Sequence, residues 1–357
     1  MRINYISDSG QPKQLTRIAY GLDVAKNLEM KLHDELTNKK ELPLKKMTVQ
    51  ELFDEYIKVK KMDIKELSIV KIKNDFSLYI LPTFKECFID RITVKMIQDW
   101  KLYMTNKNLA LNTKNNAFVN FKALLKYAIN VDYIYKNPFD KINAFKDKST
   151  IKREMDFYTL KDFKKFINKS RELAEEKEKL EKDLSEWSYY VFFNIAFYTG
   201  ARKGEIHALK WSDINGEYLS IKRSITQKLG GLETTPKTPS STRKIQMPGT
   251  LIAVLKEHKQ RYKSLHNFSD DLRICNNIKN TTIMRRNELY SKSVGLKTIR
   301  IHDYRHSHAS VMAYKNINIQ EISRRLGHSN IEETWNTYCH LYPQSETKAV
   351  KIFDCVA

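Results

Sequence analysis

The spacing of apolar residues predicts a chain made mostly of helices, with one region of alternating strands. At the N-terminus, "RINYI" and "QLTRIA" are predicted as short strands around the turn "SDSGQPK", and "GLDVAKNLEMKLHDEL" follows as an amphipathic helix. The apolar positions of that helix recur at helical spacing: Leu22, Ala25, Leu28, Leu32 and Leu36. Residues 1–45 are therefore predicted to form a small ββα-like module.

Residues 46–146 carry a purely helical pattern. Thr48 and Glu51 form a capping box at the start of "MTVQELFDEYI", which predicts a helix N-terminus there. Three further segments have helical spacing: "ELSIVKIKNDFSLYIL" before Pro82, "TVKMIQDWKLYM" from Thr93, and "NTKNNAFVNFKALLKYAI", which "KNPF" is expected to stop. The pattern predicts a domain of about four helices, followed by a polar, basic linker at 147–157.

The third unit, residues 158–343, mixes helices with a small sheet. Thr159 and Asp162 are placed to cap a helix. The charge-dense "KSRELAEEKEKLEKDLSEW" predicts a solvated helical face or an insertion. "SYYVFFNIAFYTG" predicts a buried helix that ends at Gly200. "EYLSIKRSIT" alternates as a strand does, with "TTPKTPSSTRKIQMP" returning beside it, before helices resume at Ile301. The predicted class is mainly α with a small β-sheet (α+β), with residues 344–357 as a tail.

Charge is the strongest global feature of the chain. The 357 residues include 63 Lys and Arg against 42 Asp and Glu, a formal charge of +21, which suits a polyanionic partner. A coding bias toward Lys and Asn is the alternative explanation, so composition alone does not decide. The four cysteines form no C-x-x-C pair, which argues against a disulfide framework and a thiolate zinc site.

No segment of the sequence predicts export or a membrane span. The N-terminus lacks an apolar signal region, and the longest apolar stretch, "YYVFFNIAFYTGA", is too short to cross a bilayer. The sequence therefore predicts a soluble protein that stays in the cytoplasm of its host cell.

Two short motifs each place a basic side chain beside a second functional group. In "TGARKGE", Arg202 and Glu205 stand three positions apart and so share a helix face, as an ordinary ion pair also would. In "RIHDYRHSH", His302 and Arg305 have the same spacing, and a histidine that caps a helix is the alternative explanation. Each motif by itself leaves its function open.

A third segment, "LGHSNIEETWNTYCHLYP", supplies His328 and Tyr338. His328 is predicted at a helix N-terminus, where exposed N–H groups favour anions, and a capping box is predicted from Ser329 to Glu332. A fully helical interval would separate His328 from Tyr338 by roughly 15 Å along the axis, at ~1.5 Å per residue. If both residues serve one site, the helix is expected to end or bend before Tyr338. Trp335 is predicted to be a core or interface anchor rather than a reactive group.

The candidate residues together favour phosphodiester chemistry. They are two arginines, two histidines, a tyrosine and a hairpin lysine, and they include no carboxylate cluster for a metal. Arginine forks bind the non-bridging oxygens of a phosphodiester and offset the charge of its transition state, so magnesium is not needed. A tyrosine hydroxyl is mostly protonated at neutral pH, and the gap of ~3 pKa units corresponds to roughly 4 kcal/mol. Nearby cations can supply much of that energy.

The chain resembles the tyrosine recombinases, or phage-type integrases. The resemblance rests on four motifs that occur in this order: "TGARKGE", "PKT", "HDYRHSHAS" and "LGHSNIEETWNTYCHLYP". The likeness covers residues 158–343, which resemble the catalytic domain of that family. Residues 46–146 resemble its helical core-binding domain. Residues 1–45 resemble a short version of its arm-binding module, with two strands where the fuller module has three.

The resemblance implies a role for each candidate residue. Tyr338 would be the nucleophile that joins the 3′ phosphate of one strand and releases a 5′ hydroxyl. Arg202 and Arg305 would clamp that phosphate, while His302 and His328 would hydrogen-bond it and assist proton movement.

Two further residues would support the reaction. Lys237, in the "PKT" turn, would be the general acid toward the leaving 5′ oxygen, although Lys228 and Lys244 lie on or near the same ribbon. Glu205 would support the site. Cys339 points about 100° away from Tyr338 on a helix and is predicted to pack.

The function implied is that of a site-specific DNA recombinase, or integrase, of a mobile element, which needs no cofactor, metal or ATP because the phosphotyrosyl ester conserves the bond energy. The implied partners are duplex DNA at attachment sites, further copies of the chain in a homotetramer on DNA, and an excisionase or host DNA-bending factor. The tail would dock on a neighbouring protomer, and a frayed end is the alternative. The protein would be associated with the bacterial nucleoid. The alternatives are DNA relaxation of the type IB topoisomerase kind and a non-catalytic regulator, because "IQEISRRLGHSNIEET" could pass for a helix-turn-helix.

Overall fold

The computed structural model of the protein describes residues 2–6, 12–38, 46–146, 155–226, 231–234, 242–264, 268–276 and 278–342. Its chain divides into two units, Met1–Ile151 and Lys152–Ala357. Helices dominate both units and small antiparallel sheets accompany them, which confirms the predicted α+β class. Among the described helices, none combines the length and apolarity that a bilayer span requires.

The first unit begins with a hairpin and a helix. Strands β1 (Arg2–Ile6) and β2 (Pro12–Thr16) pair antiparallel, with Arg2 opposite Thr16. Helix α1 (Leu22–Asn38) follows. The predicted ββα order is confirmed, although β2 begins and ends earlier than "QLTRIA", because proline is tolerated at the first position of a strand.

A helical bundle forms the rest of the first unit. Its helices are α2 (Val49–Asp63), α3 (Glu66–Asp75), α4 (Leu81–Phe84), α5 (Val94–Asn106) and α6 (Leu111–Asn130). The predicted capping box of Thr48 and Glu51 opens α2. Aromatic rings fill the core, where the Phe121 ring centroid lies 4.9 Å from that of Phe84 and 5.9 Å from that of Trp100. Burial of these large rings is what holds the bundle together.

One predicted helix end in this bundle is wrong, and so is one predicted stop signal. Pro82 does not stop its helix, because a π-helical turn, Phe76–Ile80, leads into α4 and places Pro82 in the first turn, where a missing N–H breaks no interior hydrogen bond. Helix α6 ends at Asn130, one residue after the predicted segment, but "KNPF" does not stop it, because Asp132 already turns the chain away with a φ of +59°. Pro138 starts a separate 3₁₀ turn.

The second unit combines helices with small antiparallel sheets. Its elements are α7 (Leu160–Glu181), α8 (Ser185–Thr199), α9 (Lys203–Ala208), β3 (Ile214–Asn215), β4 (Tyr218–Ile221), β5 (Ser224–Thr226), β6 (Leu232–Thr234), β7 (Arg243–Gln246), α10 (Gly249–Lys263), α11 (Asn280–Ser293), α12 (Asp303–Tyr314), α13 (Ile319–Leu326) and α14 (Ile331–Tyr338). Strands β3, β4 and β7 form one sheet in that order, while β5 and β6 form another. The predicted single ribbon is therefore divided after Ile221, although Leu219, Ile221 and Ile225 are buried as expected.

Helix α8 is the buried centre of this unit, and Gly200 ends it as predicted. The Phe163 and Phe197 rings stack at 3.8 Å between α7 and α8. Gly200 has a φ of +64°, and a Cβ there would lie 2.8 Å from His308 Cδ2 and 2.9 Å from Leu326 Cδ2. Only glycine meets both the backbone and the space requirement, so the end of α8 can approach α12 and α13 closely.

Candidate active site

Arg305 lies in the first turn of α12 and is 3% exposed. Its Nη1 donates to the backbone carbonyl of Gly200 at 2.8 Å. Its Nη2 has no hydrogen-bond partner within the part of the chain that the structure describes. Because a buried charged N–H without a partner is costly, the Arg305 guanidinium has a donor that could bind an anion.

Arg202 and Arg243 share the buried carboxylate of Glu205. Glu205 accepts from the Arg202 backbone N–H at 2.8 Å and from Arg202 Nη1 at 3.1 Å. Arg243 Nη2 and Nη1 donate to the same carboxylate at 2.9 and 3.2 Å. Burial raises the pKa of Glu205, but hydrogen bonds and charge from Arg243 and Arg202 outweigh burial and bring the pKa below its ordinary value. The predicted pair of Arg202 and Glu205 is therefore present, with Arg243 as a third member.

Glu205→Gln is expected to lower the free energy of unfolding by about 3 kcal/mol at pH 7, because it removes the charge that compensates a buried arginine. At about 2–4 °C per kcal/mol, the midpoint of thermal unfolding should fall by roughly 6–12 °C. Since the pKa of Glu205 is lower in the folded state, the stabilisation is present above the unfolded value of about 4.3 and is lost as the pH falls through the folded value.

Calorimetry of both proteins from pH 7 to pH 3 tests this expectation. Glu321→Gln is the matched control, because Glu321 pairs with Arg324 on the surface at 2.8 Å, and its loss should cost less than about 0.5 kcal/mol. A Glu205→Gln protein as stable as the control would show that the network contributes nothing to folding.

The two predicted arginines lie in one region. Arg305 binds the carbonyl of Gly200, two residues before Arg202. Burial, followed by the charges of Arg202 and Arg243, lowers the pKa of Arg305 to about 9. Arg305 thus stays protonated at neutral pH, and its charge adds to those of Arg202 and Arg243, which share the carboxylate of Glu205. The local excess of positive charge favours an anion.

His302 and His328 are both held in the neutral form. His302 precedes α12 as its N-cap. Its side chain is exposed, but partial desolvation by neighbouring protein atoms, followed by the charge of Arg305, lowers its pKa. His328 follows Gly327, which ends α13, and its Nδ1 lies 2.7 Å from Thr334 Oγ1. Burial and the arginine charges lower the pKa of His328 to about 3. A neutral imidazole offers one N–H donor and one acceptor.

The segment between His328 and Tyr338 differs from the prediction in two ways. Asn330 rather than Ser329 caps α14, and its Oδ1 accepts from the Glu332 backbone N–H at 3.0 Å. The interval is also not fully helical, because α14 begins only at Ile331 and runs to Tyr338, so the condition on which the expected bend depended is not met. The late start shortens the helical interval, so no bend is needed.

Tyr338 is 1% exposed and packs in a cluster with Ala309, Ala313, Ile322 and Leu326. Its hydroxyl lies 2.6 Å from Nδ1 of His306. Burial raises the pKa of Tyr338, and the charge of Arg305 opposes that rise without cancelling it. The ring centroid of His306 lies 4.9 Å from that of His302, so the histidine pair connects the tyrosine to the arginine region.

Sequence reasoning missed His306 and Arg243. His306 stands in "HDYRHSH", one residue after Arg305 and four after His302, and that helical spacing is the signal that could have identified it. Arg243 stands in "TRKIQ", where alternation along the strand indicates an inward position.

The general-acid assignment stays a prediction. Lys237 and Lys228 lie outside the described residues, whereas Lys244 is exposed on β7 opposite Ser220. Trp335 is 55% exposed, so it is not a core residue, and its role as an interface anchor stays a prediction. Cys339 is a half-buried free thiol that follows the end of α14.

Two family models match the chain. The model described as phage integrase family matches residues 168–345, and that of the phage integrase SAM-like domain matches residues 48–151. The first match contains Arg202, Glu205, His302, Arg305 and Tyr338, and the second covers the helical bundle. The order of the matched ranges is the order of the two units.

Similar proteins span most of the chain. ICEBs1 integrase of Bacillus subtilis strain 168 is 27% identical over 343 residues, with 92% of this chain and 89% of the relative covered. The tyrosine recombinase XerC-like protein of Caldanaerobacter subterraneus is 28% identical over 323 residues, with 82% and 79% covered.

Two solved structures share the fold. The Tn1549 transposon integrase in complex with transposon right end DNA has a TM-score of 0.68 at 22% identity, covering 87% of this chain and 100% of that chain. A lambda integrase tetramer bound to a Holliday junction has a TM-score of 0.59 at 18% identity, covering 92% and 96%.

Proposed function

The chain belongs to the phage integrase family of tyrosine recombinases, the enzymes that cut and rejoin DNA, and we propose that it is the site-specific recombinase, or integrase, of a mobile genetic element. The observation that supports this function best is the buried guanidinium of Arg305, whose Nη2 has no partner in the described part of the chain. The charge of this guanidinium also acts on Tyr338, where it opposes the rise in the pKa of the hydroxyl. A DNA phosphate would supply the missing partner.

Arg202 and Arg305 are proposed to hold the scissile phosphate. The Arg202 side chain is 38% exposed and so can reach DNA, while Glu205 fixes its direction. Arg305 would bind from the buried side through Nη2. Forked guanidinium contacts suit the phosphate oxygens and stabilise the added negative charge of the transition state.

Tyr338 is proposed to attack the phosphorus, forming a 3′-phosphotyrosyl bond as the bond to the 5′ oxygen breaks. The new ester conserves the energy of the phosphodiester, so a 5′ hydroxyl from another strand can reverse the step without ATP. The proposed assignment requires no metal, because the charge compensation comes from arginine. Strand exchange is then close to energetically neutral.

The remaining candidates are proposed to move or hold protons around the phosphate. Neutral His302 and His328 would each donate one hydrogen bond to a phosphate oxygen. Lys237 would protonate the leaving 5′ oxygen, with Lys228 or Lys244 as the alternative donor. The family motif order is what supports the choice of Lys237.

A nicked suicide duplex built from the element's own attachment sequence tests the function. After cleavage, the short 5′ fragment diffuses away and a covalent protein–DNA adduct accumulates, which a denaturing gel separates. We expect an adduct together with strand exchange between two attachment duplexes. An adduct with relaxation of supercoiled plasmid but without exchange would instead support a topoisomerase, and DNA binding without an adduct would support a regulator.

We propose that residues 46–146 and 158–343 both contact duplex DNA and that residues 1–45 bind arm-type sites. The charge of +21 supports this, since lysines and arginines that neutralise phosphates release counterions on binding. We further propose a homotetramer on DNA, an excisionase or host DNA-bending factor as accessory partner, and a cytoplasmic location at the nucleoid. Affinity should then fall steeply with salt.

The tail, residues 344–357, is proposed to dock on a neighbouring protomer. A groove of about 500 Å³ offers an apolar surface for Val350, Ile352 and Phe353, with lining residues that include Phe157, Leu160, Val311, Tyr314 and Leu341. Deleting residues 344–357 is expected to abolish tetramers on DNA, measured by native electrophoresis, while binding to a single site persists.

Groove variants separate this docking from a general folding defect. Leu160→Asp should reproduce the loss of tetramers, whereas Leu180→Asp, at a more exposed leucine of α7, should not. Tetramers that persist after the tail deletion would contradict the docking.

A further inference from the structure

We propose that His306 is the general base of strand cleavage: its Nδ1 takes the hydroxyl proton of Tyr338 as the phenol oxygen attacks phosphorus, and it returns that proton at rejoining. The inference rests on the proposed recombinase function and goes beyond it. The assignments made from motif order gave proton movement to His302, His328 and Lys237, and left His306 without a role.

The geometry supports His306 directly. Its Nδ1 lies 2.6 Å from the Tyr338 hydroxyl, which is a hydrogen bond to the reacting atom itself. His306 is the fourth residue of α12, and Tyr338 is the last residue of α14, so two helices bring the pair together. The hydroxyl donates when Nδ1 carries the lone pair and Nε2 the hydrogen, and this is the tautomer that we assign.

The other two histidines of the site are less well placed to deprotonate the phenol. His328 has its Nδ1 at 2.7 Å from Thr334 Oγ1 and its Nε2 at 3.5 Å from Glu333. His302 meets His306 edge to face, with the ring planes at 88°. Within the described contacts, neither histidine bonds the phenol, so both remain available for the phosphate.

Electrostatics keep His306 ready to accept a proton at neutral pH. Burial, followed by the neighbouring His302, lowers the pKa of His306 to about 4, so the ring is neutral before the reaction. The titratable and charged groups that act on it or contact it are His302, Asp303, Arg305, Arg300, His328 and Tyr338. When phosphate binds, its negative charge offsets the arginines and makes the imidazolium easier to form.

The proton balance of the step is complete. Tyr338 loses its hydroxyl proton to His306, the phenol oxygen bonds to phosphorus, and the bond from phosphorus to the 5′ oxygen breaks. The leaving oxygen takes a proton from the general acid, proposed as Lys237. On rejoining, the incoming 5′ hydroxyl gives its proton back to that acid, and the imidazolium of His306 protonates the departing phenol oxygen.

Two substitutions separate proton transfer from positioning. His306→Ala removes both functions, whereas His306→Asn retains an acceptor oxygen near the Nδ1 position but cannot hold a proton at neutral pH. We expect both variants to form the adduct on the nicked attachment duplex about 10²–10⁴-fold more slowly than wild type at pH 7. His340→Ala, at an exposed histidine two residues after Tyr338, is the matched control and should react at the wild-type rate.

The pH profile gives a readout that a structural role would not change. For His306→Ala, the phenol must ionise before it attacks, so the rate relative to wild type should rise about tenfold per pH unit from pH 7 to pH 9. Added imidazole should restore part of the His306→Ala rate and none of the rate of His306→Phe, whose ring fills the space. A variant-to-wild-type ratio that stays constant with pH would overturn the assignment.

A duplex in which sulfur replaces the bridging 5′ oxygen at the scissile phosphate distinguishes the role of the general base from that of the general acid. A thiolate leaves without a proton, so the Lys237→Ala defect should disappear on this substrate while the His306→Ala defect persists. Rescue of His306→Ala by the sulfur would assign His306 to the leaving group instead. If His306→Asn formed the adduct at the wild-type rate, His306 would be a positioning residue and not the base. If the wild-type protein formed no adduct at all, the proposed function itself would be rejected.

Discussion

Tyr338→Phe is expected to reduce covalent adduct formation on the nicked attachment duplex by about 10⁴-fold or more, to the background of the assay. The substitution removes only the hydroxyl, and the remaining ring still fills the buried cluster beside Ala309 and Leu326. The loss of the bond to His306 should cost about 1 kcal/mol of stability, so the protein stays folded. DNA affinity should remain within about twofold of wild type, since no charge is changed.

Tyr342→Phe is the matched control for this experiment. Tyr342 lies four residues further on, and its hydroxyl donates to the Ile317 carbonyl at 2.6 Å, so the same single oxygen is lost from a comparable hydrogen bond. We expect its adduct to form at close to the wild-type rate. Adduct formation by Tyr338→Phe at a similar rate would mean that another residue attacks the phosphate.

Arg305→Met is expected to slow cleavage by about 10³-fold, because it removes a preorganised donor aimed at the charge of the transition state. The same change should leave the midpoint of thermal unfolding in the absence of DNA no lower than that of wild type. Arg305 is buried, with an unpartnered Nη2 in the described structure, and burial lowers its pKa to about 9. An apolar side chain of similar length avoids that desolvation cost.

Single-turnover cleavage and calorimetry on the same preparations test both parts of this expectation. Arg324→Met is the control, because Arg324 is largely exposed and pairs with Glu321 at 2.8 Å. Its cleavage rate should stay within about threefold of wild type. Cleavage by Arg305→Met within tenfold of wild type would show that Arg305 does not bind the reacting phosphate.

Local signals in the sequence predicted much of the fold. The capping boxes at Thr48 and Thr159 and the glycine stop at Gly200 depend on atoms within a few residues of each other, and all three occur in the structure. Alternation predicted the burial of Leu219 and Ile221 for the same reason. Where a structure is determined by neighbouring residues, the sequence is sufficient.

Features that depend on packing between distant elements could not be predicted in the same way. The contact of His306 with Tyr338 joins residues 32 positions apart and requires α12 to pack against α14. Arg243 and Glu205 stand 38 positions apart, and their pairing requires β7 to lie beside α9. The π-helical turn before Pro82 could not be predicted either, because a π turn has no strong local signal in the sequence.

Desolvation by the surrounding protein gives the candidate site its chemical character. It raises the pKa of Tyr338 and lowers the pKa values of His302, His306 and His328, so the free protein holds a neutral phenol beside neutral imidazoles. The arginines supply positive charge that a phosphate would complete. In the proposed mechanism the phenol becomes a good nucleophile only when a base and a bound phosphate act together, so we expect the site to be unreactive in the absence of DNA.

The identity of the residue bonded to DNA is the most direct test of the central claim. The adduct from the nicked attachment duplex is digested with trypsin and nuclease, and the modified peptide is sequenced by tandem mass spectrometry. We predict a nucleotide joined through its 3′ phosphate to the phenol oxygen of Tyr338. A linkage to Cys339, or to any residue outside α14, would contradict it.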